Sequence, residues 1–155
     1  METVLVVGSS GNMGVSAIIA AQRSNRAVIA VVRNDASKQK VLSHIDSPEN
    51  VTFVEADVTS DDGLQDVVDR VRKGDLPAFQ HVFATVGLAN WTTPIQSLDL
   101  ASFREVMKVS LESNYREYSI HLLAIPEPNS DRLKSHTAQQ FLILLSRGGN
   151  RHSLS

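Results

Sequence analysis

Short apolar runs alternate with longer amphipathic segments along this chain of 155 residues. The runs are rich in β-branched residues and are apolar at consecutive positions, which is typical of parallel strands that are covered on both faces. The pattern predicts five strands, at Val4–Val7, Val28–Val32, Val51–Val54, Val82–Ala84 and Phe141–Leu145.

The segments between these runs carry apolar residues at helical spacing. They predict four helices, at Met13–Arg23, Ala36–Ile45, Asp61–Lys73 and Leu100–Leu123. The third helix has the clearest signals, because Asp61 and Asp62 suit the positive end of a helix and Gly74 follows its last residue. Alternating strands and helices indicate right-handed βαβ units. The predicted fold class is therefore α/β, a doubly wound parallel sheet of Rossmann type with strand order 3-2-1-4-5.

The length of the chain favours one domain, and the sequence contains no internal repeat and no interdomain linker. We expect this domain to span residues 1–149, followed by a tail at residues 150–155. Within it, Pro126–Gln140 is polar and contains proline, which predicts a surface loop.

The charge of the chain is close to balanced, with 15 basic and 17 acidic residues and a net charge of −2. This balance argues against broad binding to nucleic acid or to an anionic membrane. The absence of cysteine excludes disulfides and thiolate zinc sites. The apolar runs are too short to span a bilayer and the first residues do not resemble a signal peptide, so we expect a soluble cytoplasmic protein.

The most informative segment is VLVVGSSGNMG, in which three glycines follow the first strand and open the first helix. Gly8 would permit a tight turn, Gly11 would let the backbone approach a pyrophosphate, and Gly14 would let the helix pack close to the strand. The alternative is a purely structural turn. If the loop binds a nucleotide, its backbone N–H groups and the helix end hold the anion. The predicted phosphate-binding set is Gly8, Ser10, Gly11, Asn12, Met13 and Gly14, with Ser9 as a further hydroxyl donor.

The end of the second strand indicates which dinucleotide would bind. A domain that binds NAD usually places Asp or Glu there, whereas this chain has Arg33 followed by Asn34. An arginine suits the 2′-phosphate of NADP, because its guanidinium donates charge-assisted hydrogen bonds. NADP is therefore favoured over NAD. Asp35 leaves NAD open, since a small shift in register would bring it to the ribose, and Arg33 could also be an ordinary exposed residue.

The end of the third strand carries Asp57 and Val58. A carboxylate and an apolar side chain at this edge of the sheet could hold an adenine ring. The equal alternative is that Asp57 helps to start the next helix.

With these residues in place, the chain resembles the short-chain dehydrogenase/reductase family, over the first half to two-thirds of that family's usual fold. GSSGNMG resembles the cofactor loop, VVRN an NADP-preferring second strand, and ADVTSDD the adenine-binding segment. VFATVGLAN resembles the segment that usually reads Asn-Asn-Ala-Gly, which implies that Gly87 lies under the ribose. Ser146, at the end of FLILLS, matches the serine that polarises the substrate oxygen, and Ser110 stands where the family has its catalytic Asn.

The resemblance implies an oxidoreductase that transfers a hydride between the nicotinamide and a carbonyl or alcohol substrate. The Tyr-x-x-x-Lys pair of the family, expected about a dozen residues after Ser146, does not occur in the sequence. A non-catalytic NADP-binding module and an inactive, truncated family member therefore remain alternatives. The missing part would leave strands four and five without cover on one face, and a second copy or a partner chain could cover strand five.

Overall fold

Four of the apolar runs form one parallel sheet in the computed structural model, which describes residues 1–88 and 94–124. The strands are β1 (Thr3–Val7), β2 (Ala27–Val32), β3 (Val51–Glu55) and β4 (His81–Ala84). Their order is β3-β2-β1-β4, and all neighbouring strands are parallel. The predicted order is confirmed for these four strands. The fifth predicted strand, Phe141–Leu145, lies outside the described residues, as do the loop at 126–140 and the tail.

The helices are α1 (Asn12–Arg23), α2 (Asp35–Leu42), α3 (Gly63–Lys73), α4 (Leu100–Met107) and α5 (Ser113–Ala124). A short 3-10 helix at Ile95–Ser97 was not predicted. Helix α2 ends before the predicted Ile45, because the His44 N–H bonds to Val41 O and tightens the last turn. Helix α3 starts after the predicted Asp61, because the chain from Asp57 first makes a separate turn.

The predicted long helix from Leu100 is interrupted by a π-turn at Lys108–Glu112. The hydroxyl of buried Ser113 donates to Lys108 O at 3.2 Å across this turn. A π-turn inserts one extra residue into the helix and rotates every later side chain by about 100°. This turn therefore decides which residues of α5 face the sheet, and simple helical periodicity could not predict it.

Two apolar clusters lie on opposite faces of the sheet because alternate strand residues point to opposite sides. Helices α1 and α2 cover the face that carries Val6 and Val28, and α3 covers the face that carries Leu5 and Ile29. Residues of β1 and β2 are buried on both faces, as the continuous apolar runs predicted. This core fixes the carboxyl ends of the strands along one edge, where the connecting loops meet.

Strand β4 is one of the two edge strands of the described sheet, with β3 at the other edge, and it is more exposed than β1 and β2. Its register pairs Val6 with Phe83, so Phe83 points to the same side as α1, and it is 40% exposed. Val82 points to the other side and packs against the α3 cluster. The exposed face of β4 is the one that we expected to lack cover. In the part of the chain described, no helix is long and apolar enough to cross a membrane.

Candidate functional site

A cavity of about 360 Å³ opens at the carboxyl edge of the sheet, where four loops and one helix meet. Its position follows from the topology, because parallel strands end at the same edge and β1 and β4 lie where the strand order reverses. The four loops contribute Gly8, Ser10, Gly11, Arg33, Ala56, Asp57, Val58, Thr59, Thr85, Val86, Gly87 and Leu88. The end of β2 contributes Val31 and Val32, α2 contributes Ser37, and α4 and the turn after it contribute Glu105 and Val109.

The turn after β1 requires glycine at position 8. Gly8 has φ of 80°, in the left-handed region, and a Cβ there would lie 2.9 Å from Thr85 Oγ1 and 3.0 Å from Thr85 C. Both the backbone angle and the neighbouring chain therefore exclude a side chain. The Thr85 hydroxyl in turn donates to Val7 O at 3.2 Å, so the loop after β4 is held against this turn.

Gly14 lets the first turn of α1 lie against the loop that precedes it. A Cβ at this position would overlap the Gly8 carbonyl oxygen and lie 2.8 Å from Ser9 Cα. Gly11 is less restricted: a Cβ there would lie 3.4 Å from Gly8 O, to which the Gly11 N–H donates at 3.1 Å. Gly14 thus allows close packing, and the close contact is between the helix and the loop that precedes it.

The start of α1 carries no side-chain cap, since the residue before it is Gly11. Its first N–H groups therefore remain available to an anion at the positive end of the helix. Ser10 lines the cavity, whereas Asn12 and Met13 lie on the exposed side of the first turn and do not. The hydroxyl of Ser9 is fully buried and donates to Val6 O at 2.7 Å, so the predicted contact of Ser9 with phosphate is wrong.

The segment after β2 separates Arg33 from its neighbour. Arg33 lines the cavity and is exposed to solvent. Asn34 is instead the N-cap of α2, and its Oδ1 accepts from the Ser37 N–H at 2.9 Å. Asp35 is the first residue of α2 and does not line the cavity. Ser37, which the sequence did not single out, lies in the cavity beside Arg33.

Asp57 lies at the carboxyl end of β3 in a turn of its own. One carboxylate oxygen, Oδ1, accepts from the Thr59 hydroxyl at 2.7 Å and from the Thr59 N–H at 2.9 Å. These two hydrogen bonds, that of the hydroxyl more than that of the N–H, hold the pKa of Asp57 below its usual value. The positive charges of Lys108 and Arg33 lower this pKa further. The N-cap residue of α3 is Asp62, so Asp57 is not the cap, and both expected roles of Asp57, at an adenine ring and at the start of the helix, stay predictions.

Gly63 is a position that the sequence analysis did not identify. A Cβ there would overlap Asp57 O and lie 2.7 Å from Ser60 Oγ. The Ser60 hydroxyl accepts from the Gly63 N–H and donates to Asp57 O, both at 2.9 Å. Gly63 therefore allows α3 to begin directly behind Asp57. In the sequence, the only signal for this role is the position of Gly63 immediately after ADVTSDD.

Two polar side chains beside the π-turn hold the loop after β4. The Ser110 hydroxyl accepts from the Leu88 N–H and donates to Leu88 O, both at 2.9 Å. The Asn114 amide donates to Val86 O at 2.8 Å and to Ser110 O at 2.7 Å. Ser110, which stands where the family has an Asn, thus positions the loop that lines the cavity. The same role of Asn114 was not predicted from the sequence.

Gly87 lies between these two anchored residues and lines the cavity. Nothing lies within 4 Å of the position that a Cβ would occupy, so packing within the described chain does not require glycine here. The expected place of Gly87 under a ribose stays a prediction. Ser146 lies outside the described residues.

Arg116 on α5 supports the other wall of the cavity. Its guanidinium donates to Asp61 Oδ1 at 2.6 Å and to Thr59 O at 3.4 Å. It also forms an ion pair with Glu112 at 3.5 Å. Since Thr59 holds the Asp57 carboxylate, Arg116 connects α5 to the turn that forms this end of the cavity.

Comparison with known proteins places this geometry in a family. The family model of short chain dehydrogenases matches residues 2–121. The chain is 48% identical over 117 residues to "Short-chain dehydrogenase/reductase iacG" of the fungus Pestalotiopsis fici, a match that covers 76% of this chain and 47% of that protein. The chain thus spans about half the length of this curated relative.

Solved structures share the fold at low sequence identity. A short chain dehydrogenase from Leptospira borgpetersenii with bound NAD+ is similar with a TM-score of 0.66 at 17% identity, over 78% of this chain and 44% of that one. A variant of ElxO with bound NADPH is similar with a TM-score of 0.69 at 15% identity, over 78% of this chain and 49% of that one. The two proteins carry different nicotinamide cofactors.

Proposed function

This chain belongs to the short-chain dehydrogenase/reductase family, and we propose that it binds NADP(H) in the cavity at the carboxyl edge of its sheet. The observation that carries the proposal is the turn at Gly8, where a side chain is excluded by φ and by Thr85 and where an uncapped helix begins. A polyphosphate needs this combination of close backbone approach and unpaired N–H groups.

The pyrophosphate would lie against the segment from Gly8 to Gly14. Ser10 and Gly11 line the cavity, so the N–H and the hydroxyl of Ser10 can donate to phosphate oxygens, while Gly11, whose N–H donates to Gly8 O, leaves room for the phosphate to approach the backbone. Asn12, Met13 and Gly14 would contribute through the N–H groups of the first helical turn rather than through side chains. The buried hydroxyl of Ser9 would instead brace the turn from inside.

The preference for NADP over NAD depends on Arg33. Its guanidinium is the basic group of the cavity lining, and the Ser37 hydroxyl lies in the same wall. A 2′-phosphate would accept charge-assisted hydrogen bonds from Arg33, whereas an unmodified ribose would leave that charge unused. Asn34 would act indirectly, because its cap of α2 holds Ser37 at the cavity wall.

The adenine would lie at the Asp57–Val58 end of the cavity. Oδ1 of Asp57 is occupied by Thr59, which fixes the carboxylate and leaves Oδ2 to accept a hydrogen bond from the ligand. The Val58 N–H has no hydrogen-bond partner among the described residues and can donate to a ring nitrogen. Gly87, between the anchored Val86 and Leu88, would lie under the nicotinamide ribose.

We further propose that the protein transfers a hydride between this cofactor and a carbonyl or alcohol substrate. The bound nicotinamide would supply or accept the hydride, and Ser146 would polarise the substrate oxygen. The Tyr-x-x-x-Lys pair of the family does not occur in these 155 residues, and general acid–base catalysis of that kind contributes roughly 10²–10⁴-fold. A non-catalytic NADP-binding module is therefore the second candidate function. The cytoplasmic location and a partner for strand five stay predictions.

Fluorescence titration of the full chain with NADPH and NADH tests the binding proposal. We expect NADPH to bind more tightly, and Arg33→Ala to weaken NADPH binding by about 10-fold or more while changing NADH binding less than about threefold. Arg23→Ala is the matched control, because Arg23 is exposed and lines a different cavity, at the opposite edge of the sheet. The NADP preference is wrong if Arg33→Ala weakens both cofactors equally.

Turnover is measured separately from binding. Oxidation of NADPH with a panel of aldehydes and ketones, followed by absorbance, distinguishes the enzyme from the binding module. If the unmodified chain shows turnover and the Ser146→Ala variant does not, the oxidoreductase proposal is supported. Binding without turnover supports the module, and the absence of binding to either cofactor overturns both.

A further inference from the structure

The turn between β3 and α3 lines one end of the cavity, and its own hydrogen bonds set its shape. Asp57 Oδ1 accepts from the N–H and from the hydroxyl of Thr59. The N–H and the hydroxyl of Ser60 both donate to Asp57 O, at 3.1 Å and 2.9 Å. Because these bonds join near neighbours, they fix the turn internally but do not fix how it is oriented against the rest of the cavity.

Arg116 reaches this turn from a distant part of the chain. Its guanidinium donates to Asp61 Oδ1 at 2.6 Å and to Thr59 O at 3.4 Å, across 55 and 57 residues of sequence. Two different nitrogen atoms make these contacts, so the planar guanidinium restrains both the position and the rotation of the turn. Arg116 itself is not part of the cavity lining, so it can act on a bound base only through the turn.

The burial of the two partners indicates how strong this restraint is. The Arg116 side chain is 25% exposed, which makes the ion pair less screened than one between two fully exposed side chains. Asp61 is 88% exposed, so the gain from the pair stays moderate. The contact therefore suits the positioning of a turn better than the stability of the whole domain.

We propose that Arg116 is a positioning residue for the base of the cofactor, holding from α5 the turn that presents the Asp57 carboxylate and the Val58 N–H to the adenine. The proposal rests on the proposed binding of NADP(H) to this cavity. Adenine offers an amine donor to Asp57 and an unprotonated ring nitrogen to Val58. A hypoxanthine ring has an oxygen in place of the amine and a hydrogen on that nitrogen, so it mismatches both groups. Discrimination between the two rings requires both protein groups in place and should therefore depend on Arg116.

The test compares NADPH with its hypoxanthine analogue, by fluorescence titration of the full 155-residue chain. The measured quantity is the ratio of the two dissociation constants, analogue over NADPH. The two ligands carry the same charge, so any general attraction of Arg116 for an anion cancels in the ratio. Arg116→Ala is expected to lower the ratio about threefold and Asp61→Ala about twofold. A purely structural role of Arg116 would change the affinity for both ligands equally and leave the ratio unchanged.

The double variant Arg116→Ala/Asp61→Ala should show the same ratio as Arg116→Ala alone, because both changes remove one contact. Arg26→Ala is the matched control. It removes an arginine–carboxylate pair of 2.9 Å with Glu2, and Arg26 lines a cavity at the opposite edge of the sheet. Its ratio should equal that of the unmodified chain.

Asp61→Ala decides the result if Arg116→Ala does not fold, because Asp61 lies on the surface and its truncation leaves the fold intact. If Asp61→Ala binds NADPH with the original ratio, the inference is wrong, while the proposed function stands. A ratio close to one in the unmodified chain would also overturn the inference, because the turn would then not recognise the base. If the unmodified chain binds neither NADPH nor NADH, the proposed function itself is wrong and this inference falls with it.

Discussion

The two central strands and the α4–α5 segment bury different kinds of residue. In β1 and β2 the large apolar side chains point inward, and Leu5 and Ile29 are almost completely buried. From α4 to α5 several apolar side chains point outward, with Leu111 57% and Tyr115 71% exposed, whereas the polar residues Ser113 and Glu117 are buried. Among the side chains that the structure describes, the strands therefore supply a large part of the apolar core, and the α4–α5 segment supplies polar contacts to the cavity wall.

The same comparison applies to the site, because its two parts are held in place by different kinds of contact. The turn at Gly8 is shaped mainly by backbone angles and by the chain next to it, with the hydroxyls of Ser9 and Thr85 as its polar contacts. The loop at Val86–Leu88 is held by Ser110 and Asn114, which are more than twenty residues later in the chain. A change in the first region should affect folding, and a change in the second should affect the site.

The largest predicted effect tests the comparison directly, by truncating one apolar residue in each region. Ile29→Ala removes a side chain that is 0% exposed and should lower the free energy of unfolding by about 3–4 kcal/mol. Leu111→Ala, at a position that is 57% exposed, should change it by less than about 0.5 kcal/mol. Urea denaturation of both variants measures these values. Equal losses would show that the outer face of the helix is buried in solution.

Glu117 provides the second prediction, because it is a buried carboxyl in the region of polar contacts. It is 2% exposed, and neither carboxylate oxygen has a hydrogen-bond partner within residues 1–88 and 94–124. Burial raises its pKa from 4.5 to about 7. Since the folded state then holds a proton that the unfolded state releases, the free energy of unfolding should fall by about 3 kcal/mol as the pH rises from 4.5 to 7.

Glu117→Gln removes this titration. The variant should be more stable than the unmodified chain at pH 8 and close to it at pH 4, and its stability should not show the decline between these values. Thermal unfolding followed by circular dichroism across this pH range provides the measurement. A decline of the same size in the variant would show that another group causes it.

A third prediction concerns the turn that holds the start of α1. Gly14→Ala places a Cβ against the Gly8 carbonyl oxygen, and the backbone cannot yield without moving the helix. We expect a loss of about 2 kcal/mol in stability, together with weaker NADPH binding. Gly87→Ala, which meets no atom within 4 Å, should leave the stability within about 0.5 kcal/mol of the original. Similar losses in both variants would contradict the packing role of Gly14.

The smallest predicted effect belongs to the anchored loop. Asn114→Ala removes two hydrogen bonds, to Val86 O and Ser110 O, and should cost about 1 kcal/mol in stability. Because Val86 and its neighbours line the cavity, NADPH binding should weaken by about threefold to tenfold. Asn25→Ala, in an exposed turn at the opposite edge of the sheet, is a control for the binding measurement. Unchanged binding in Asn114→Ala would show that the loop does not need this anchor.

Much of the fold could be predicted because its signals are local. Each of the first four apolar runs became a strand with bounds within one residue of the prediction. The start of α3 and the end of α2 were placed two and three residues away from their observed positions, because the chain first makes a separate turn from Asp57 to Ser60 and because the His44 N–H bonds to Val41 O. The π-turn escaped prediction because it depends on the hydrogen bond of a buried serine across five residues.

The candidate site could likewise be predicted only in part. Gly8, Gly11, Arg33, Asp57, Val58 and Gly87 were expected from their places after strands, and all of them line one cavity. Asn34 and Ser9 were expected to face the ligand, but one caps a helix and the other is buried. Composition and spacing cannot distinguish a polar side chain that faces a cavity from one that satisfies the backbone beside it.

The sequence by itself determined the strands, their order in a parallel sheet and the glycine turn, because the signals for each lie within a few positions of one another. Only the tertiary structure decided that Gly63 must be small, that Ser110 and Asn114 hold the Val86–Leu88 loop, and that Glu105 lines the cavity. The physical reason is that these features are contacts between segments far apart in the chain, and their geometry exists only once the sheet and helices have packed together.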